Sequence, residues 1–375
     1  MRIAMLGCKG IPGFASKGGG VETHVEKLSV RLVERGHHVS VYTRPYANPD
    51  HKTSWKGVQL ITLPTIRTKN LDAIVSTFLA TMHVLFQDVD IIHYHGVGPS
   101  TLAWIPRLFK PRAKVVVTFH SRDRFHEKWG MIARAYLAFG EWTAVTFPHV
   151  TIAVSHVIRV FCKKMYNADH VLYIPNGVEI VDTVYGTSAL KKFGLTPNNY
   201  FYTLSRFVPH KAVEDVIQAF KKVETDKKLL IIGWADESER VYGEKIERMA
   251  QGDPRVVLAG RQTGEALEQL MSHAYAMVTA SRSEGLSIAV LEAMSHGKMA
   301  VMSDIPENLE VVDHSGVSFK TGDIDALRDT LQWLCGDEIL VRERGERARG
   351  VIKKLYSWDS VVIRIEHVYQ ELCKK

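Results

Sequence analysis

The chain has 375 residues, of which 46% are hydrophobic and 24% charged, a balance typical of globular domains that excludes fibrous and disordered classes. That length exceeds one comfortable core and fits two domains of ordinary size. The net charge of +7 is uneven, with 22 Lys and Arg against 12 Asp and Glu in residues 1–180 and 26 against 29 in residues 181–375; a basic first half leaves nucleic acid, an anionic membrane, a phosphorylated substrate or simple solubility open.

The first strand is expected in "RIAMLG" (2–7), and "LGCKGIPGF" (6–14) follows it with three glycines at three-residue spacing. Such a loop suits a nicotinamide dinucleotide site or another phosphate ligand. The dinucleotide reading needs a carboxylate at the end of the second strand for the ribose. "HVSVYT" (38–43) is that strand, and Arg44 follows it, which weakens the reading. "KGGGVETH" (17–24) opens a helix expected at about 20–35, so the backbone amides at Gly19 and Gly20 are the expected anion site. A glycine-rich helix cap alone is the plainer alternative.

Strands are then expected at 58–63, 90–95, 114–120, 150–155 and 171–175, with helices at 71–87 and 128–146. This alternation predicts a parallel sheet covered on both faces. The apolar run "LDAIVSTFLATMHVLF" (71–86) is broken by Asp72, Ser76, Thr77, Thr81 and His83, so it reads as an amphipathic or buried helix rather than a membrane span. The opening apolar run is too short for a secretory leader. His93, His95 and His120 end strands, and His120 is singled out among them. Asp123 is a weaker neighbour, with helix capping as its alternative. "DVD" (88–90) precedes its strand and therefore faces the end of the sheet opposite the one where ligands bind. "WIPRLFKPRAK" (104–114) mixes aromatic and basic residues. It fits a peripheral contact with an anionic membrane, or stems covering apolar surface.

The stretch 175–199 carries two prolines and three glycines, and the hinge is read within it at 176–198. The rhythm restarts beyond it, with strands at 200–206, 228–233, 255–260, 276–281 and 299–304 and helices at 212–223, 237–250, 264–273 and 287–296. Two doubly wound Rossmann-like domains facing each other across a cleft are expected: 1–175, then 199–357, with a C-terminal helix at about 358–375 returning to the first. Cys8, Cys162, Cys335 and Cys373 lie far apart with no CxxC pair. They predict a reducing, cytoplasmic setting, peripheral at the inner membrane face if the basic aromatic stretch binds lipid.

In "LSRFVPHKAVEDVIQAF", Arg206 ends a strand and Lys211 starts a helix; two fixed cations at a helix N-terminus suit a diphosphate. In "ASRSEGLSIAVLEAMSHG", Glu284 follows a strand and Glu292 comes eight positions on, inside the next helix. They would reach different parts of one extended ligand. Dipole pairing for Glu284 and a solvated helix position for Glu292 are the alternatives.

Taken together, Gly19-Gly20-Val21-Glu22, "TFHSRD", "IAVS", "IPNGV", "SRFVPHK" and the Glu284/Glu292 pair resemble the retaining glycosyltransferases of family 4, across essentially the whole chain. The opening also resembles bacterial sugar transferases that build cell-surface polysaccharide. The resemblance implies the GT-B fold and transfer of a hexose from a nucleotide diphosphate sugar to a glycan or lipid-linked saccharide. It matches Glu284 to a donor-sugar contact, Glu292 to the ribose hydroxyls, Arg206 and Lys211 to a diphosphate clamp, Gly19 and Gly20 to the phosphate loop and His120 to a residue near the transferred sugar. Many relatives read Glu-Gly-Phe-Gly where this chain has Glu284, Gly285, Leu286 and Ser287, and backbone donation from these positions is still expected. No metal and no cofactor beyond the sugar nucleotide is expected. A nucleotide-sugar epimerase or hydrolase on the same fold is the alternative. A nucleic-acid-binding protein lacks any recognised motif.

Overall fold

The computed structural model describes residues 1–13, 19–66, 68, 71–125, 130–181, 186–312 and 315–374. Part of the glycine-rich loop (14–18), the expected start of the helix at 128 and residues 182–185 of the expected hinge lie outside the described residues. The chain divides into two compact units. Unit 1 comprises Met1–Gly177 with Trp358–Lys375, and unit 2 comprises Val178–Ser357.

Among the described residues, unit 1 is built on eight strands: β1 (Arg2–Leu6), β2 (His38–Thr43), β3 (Ser54–Trp55), β4 (Val58–Thr62), β5 (Ile91–His95), β6 (Lys114–Phe119), β7 (Val150–Ala153) and β8 (Leu172–Tyr173). Their order is β3-β4-β2-β1-β5-β6-β7-β8. The central strands are buried on both faces, as continuous runs such as Val115-Val116-Val117 require. All neighbours pair in parallel except β3 and β4, where Ser54 lies opposite Gln59 in an antiparallel ribbon. The expected parallel sheet thus carries one short antiparallel ribbon at its edge; a two-residue strand carries too little periodicity to be read.

Helix Gly20–Glu34 presents Val25, Leu28 and Leu32 to Ile3, Met5, Val39 and Val41 of the sheet. Each such side chain fully withdrawn from water stabilises by about 1.5–3 kcal/mol. The last helix, Trp358–Lys374, adds Trp358, Val361, Val362, Ile365 and Tyr369 to the same core. Its Glu366 accepts from Arg35 Nη2 at 2.5 Å and from His37 Nε2 at 2.8 Å, both just beyond the first helix.

Among the described residues, unit 2 holds six strands: β9 (Tyr200–Arg206), β10 (Lys228–Trp234), β11 (Val256–Gly260), β12 (Ala276–Thr279), β13 (Ala300–Ser303) and β14 (Val317–Phe319), ordered β11-β10-β9-β12-β13-β14. All pairings are parallel. Both sheets are therefore Rossmann-like α/β layers. The expected helix at 237–250 opens as a 3-10 turn, Glu237–Glu239, before helix Arg240–Ala250. Residues 188–192, inside the expected hinge, form a short helix whose Ala189 N–H donates to Gln269 at 2.9 Å, so they belong to unit 2.

Candidate active-site residues

In unit 2 the carboxyl ends of β9, β10 and β12 share one edge, because parallel strands point the same way. Arg206 ends β9 and its Nη1 lies 3.4 Å from Asp236 Oδ2, just past β10. After Arg206 the chain makes a 3-10 turn, Pro209–Lys211, and Ala212 takes a left-handed conformation with φ 47° before helix Val213–Lys221. That kink brings Lys211 Nζ to 2.5 Å from Glu284 Oε1 in the loop after β12. The Glu284 side chain is 9% exposed, so the ion pair is largely shielded from water. Arg282, in the same loop, donates from its amide to His210 O at 2.8 Å and from its guanidinium to Asp215 at 3.0 Å. These bonds fix one loop on the other.

Ser287 is the N-cap of helix Ile288–Ser295, and its side chain makes no capping hydrogen bond. Gly285, Leu286 and Ser287 are all buried. Glu292 lies in the second turn of this helix, close enough to Tyr202 on β9 that its charge joins burial in raising the tyrosine hydroxyl well above its ordinary range. Glu284 and Glu292 thus occupy separate places, the first beside Lys211 and the second beside Tyr202.

A cavity of about 460 Å³ opens at the ends of β10 and β11, lined among others by Gly233, Trp234, Asp236, Gly260 and Arg261. The Arg261 guanidinium stacks 4.7 Å from the Trp234 ring centroid. Asp236, Trp234 and Arg261 were not singled out from the sequence. Trp234 ends β10, and Asp236 and Arg261 follow the ends of β10 and β11, the one signal available for finding them.

In unit 1, Gly19 is the N-cap of helix Gly20–Glu34. Its amide donates to Glu22 Oε2 at 2.8 Å, and the Lys9 amide donates to Glu22 Oε1 at 3.0 Å. The expectation of an open amide at Gly19 is therefore corrected: the chain's own Glu22 carboxylate occupies it, the acidic half of a capping box, which keeps the acid at the positive end of the helix. Gly20 is the first helical residue. Arg44 is buried, donating to Asp72 at 2.6 Å, Ser76 at 3.1 Å and Tyr46 at 3.0 Å. Asp88 and Asp90 both pair with Arg2.

His120 follows β6 and meets His95, at the end of β5, with Nε2 3.1 Å from His95 Nδ1. His24, from the first helix, joins them edge-on, 4.8 Å from His120 between ring centroids. Its Nδ1 lies 3.0 Å from Asn176 Oδ1. His93 bonds Tyr369 at 2.6 Å and Thr118 at 2.7 Å. Burial pushes the His24 imidazole down to about 4 and holds His93, His95 and His120 well below their usual range. Asp123 accepts from Ser121 at the start of the turn Asp123–Phe125.

Both halves of the chain match known family models. Residues 18–181 match Glycosyltransferase Family 4, and residues 189–351 match Glycosyl transferases group 1. The chain is 26% identical over 307 residues to N-acetyl-alpha-D-glucosaminyl L-malate synthase of Bacillus anthracis, covering 77% of this chain and 76% of that protein. It is 28% identical over 208 residues to the O-antigen chain mannosyltransferase RfbU of Salmonella typhimurium, covering 54% and 55%. Its fold superposes on sucrose-phosphate synthase from Thermosynechococcus elongatus with a TM-score of 0.85 at 20% identity, over 99% of both chains. On Anabaena HepE, solved in complex with UDP and glucose, the TM-score is 0.81 at 17% identity, over 99% and 100% of the chains. Two Rossmann-like sheets with these neighbours define the GT-B fold. The chain belongs to glycosyltransferase family 4, whose members transfer a sugar from a nucleotide-sugar donor. No helix among the described residues is long and apolar enough to cross a membrane.

Proposed function

We infer that the chain moves a hexose from a nucleoside diphosphate to a hydroxyl of a glycan or lipid-linked saccharide, with retention at the anomeric carbon and no divalent ion in the reaction. The observation that carries this reading is the meeting of Lys211 and Glu284, 2.5 Å apart, on the same sheet edge as Arg206. Breaking the bond from the anomeric carbon to the diphosphate leaves negative charge on the departing oxygen, and fixed cations stabilise it. Arg206 grips the diphosphate as a fork and Lys211 as a point charge.

Glu284 and the backbone amides of Gly285, Leu286 and Ser287 take the sugar hydroxyls. Glu292 takes the ribose, and the cavity beside Trp234 and Arg261 takes the base. Gly20 and His120 are unit 1's candidates for the same reaction, with Gly19 available only if Glu22 moves. The acceptor hydroxyl bonds to the anomeric carbon on the face the diphosphate leaves, and its proton passes to a phosphate oxygen, so no separate carboxylate base is required. The nucleoside diphosphate and the new glycoside are the products.

Leu108 and Phe109 are 62% and 69% exposed beside Lys110 and Arg112. This supports a peripheral contact with anionic lipid, which co-sedimentation with phosphatidylglycerol vesicles checks. The four free thiols support a reducing, cytoplasmic setting.

A thermal-shift screen of UDP, GDP, ADP and dTDP sugars identifies the donor, since a ligand of the folded state raises apparent stability. Product analysis by NMR, with acceptor and chelator present, then reads the anomer formed. An inverted product, or free sugar released equally without acceptor, overturns the proposal.

A further inference from the structure

His24, His95 and His120 come from three different elements and converge in unit 1, with one ring nitrogen of each within 4.8 Å of the other two. They are 1%, 1% and 7% exposed. The proton positions follow from the surrounding groups. Asn176 Oδ1 can only accept, so at 3.0 Å it places the His24 proton on Nδ1 and leaves Nε2 as a bare lone pair. That Nε2 is buried and has no hydrogen-bond partner, a costly arrangement for a polar atom. His95 turns Nε2 toward Met5 Sδ at 3.4 Å and its Nδ1 toward the cluster.

Nitrogens bound about 2.0–2.1 Å from a tetrahedral metal stand about 3.4 Å apart, and the His95 Nδ1 to His120 Nε2 separation is 3.1 Å. The amide oxygen behind His24 is the kind of outer partner that fixes a ligating imidazole's tautomer. Imidazole binds metal in its neutral form.

We propose that His24, His95 and His120 form a binding site for one borderline transition-metal dication, Zn²⁺ foremost, with its fourth position open. An all-imidazole set favours Zn²⁺, Cu²⁺ or Ni²⁺ over Mg²⁺ and Ca²⁺, which prefer oxygen. Binding replaces the His95–His120 hydrogen bond: His120 moves its proton from Nε2 to Nδ1, so three neutral donors meet the cation with no net proton release. The site shares His120 with the proposed transfer reaction, although metal binding itself does not require that reaction. If His120 also serves that reaction, the bound metal inhibits it.

The test is a Co²⁺ titration of the untagged, chelator-stripped full chain. One equivalent should give the visible bands of a four-coordinate nitrogen and oxygen site. One equivalent of Zn²⁺ should displace it, and excess Mg²⁺ should not. X-ray absorption on the Zn²⁺-loaded chain should count three imidazoles. His24→Gln and His120→Gln should each weaken binding at least 100-fold with unchanged circular dichroism, Asn176→Ala should weaken it by roughly 10–100-fold, and Cys373→Ser should change nothing. Absence of stoichiometric binding, sulfur or fewer than three imidazoles in the absorption spectrum, or full binding by the folded histidine variants overturns the proposal. Where a variant fails to fold, the ligand count in the unmodified chain decides. Donor binding followed separately by thermal shift keeps a failure here distinct from a failure of the transferase reading.

Discussion

Lys211 Nζ stands 2.5 Å from Glu284 Oε1 across 73 residues of sequence, so a cation assigned to the diphosphate and an acid assigned to the sugar neutralise each other. Glu284→Gln releases the lysine and removes a negative charge from the anion's surroundings. We expect this variant to bind the nucleoside diphosphate product about tenfold more tightly, a gain of about 1.4 kcal/mol, while transfer falls about 10²–10³-fold. Lys211→Ala should lose both. Calorimetry of product binding beside initial rates reads the split, and full transfer by Glu284→Gln rules out the assigned role.

Arg206→Lys keeps the charge but not the fork. If the guanidinium grips two diphosphate oxygens, the donor kcat/KM should drop at least tenfold, with melting temperature unchanged because Arg206 is half-exposed at the strand end. An unaltered kcat/KM would place the diphosphate elsewhere.

Acid should unfold unit 1 before unit 2. A histidine held neutral by burial binds its proton more readily in the unfolded chain, so stability is fully present above the unfolded value of 6.5 and declines as pH falls toward the folded value. For His24, whose folded value is about 4, this amounts to about 3 kcal/mol by pH 4. His93, His95, His120 and His149 in unit 1 shift the same way, against His296 in unit 2. Hydrogen exchange at pH 7 and pH 5 should show protection falling first in β1, β5 and β6. His24→Gln should flatten the dependence, and equal losses in both units would contradict it.

Lys298 follows helix Ile288–Ser295, and burial lowers its ammonium to about 8. The penalty is full below pH 8 and is relieved as pH rises toward the unfolded value of 10.5. Lys298→Met should therefore stabilise unit 2 by about 1–3 kcal/mol at pH 7, with the gain shrinking by pH 10. Denaturant unfolding at both pH values checks the sign.

A Cβ added at Gly177 would come within 2.5 Å of the Trp358 indole. Gly177→Ala should destabilise unit 1 by about 1–3 kcal/mol through overpacking. The loss should appear as faster hydrogen exchange along Trp358–Lys374 while the strands of unit 2 keep their protection.

Strands and covering helices were legible because their apolar runs are long: β2 and β9 fall at the residues where the pattern put them. The two-residue β3 and the short helix Ser188–Lys192 carry too little periodicity to read. Residues at strand ends and in the loops after them, such as Arg206 and Lys211, stood out because sheet edges collect ligands. His24 was not, since it occupies an ordinary helical position in sequence. Its neighbours, His95, His120 and Asn176, depend on how distant elements pack. Glu22 stood in the glycine motif, but its role went unread for a different reason: a helix's own acid satisfying the amides that a phosphate would use is visible only once the loop is folded.

The helix Trp358–Lys374 lays Tyr369 against His93, 276 residues earlier. A ribosome emitting this polypeptide therefore releases the material of the first lobe long before its closing piece exists. The later-made lobe, whose strands and helices run uninterrupted from Val178 to Ser357, has all its parts in hand sooner. Birth order and completion order are thus reversed, and a premature stop near residue 357 would spare the younger lobe while leaving the older one open along a strip of exposed apolar side chains.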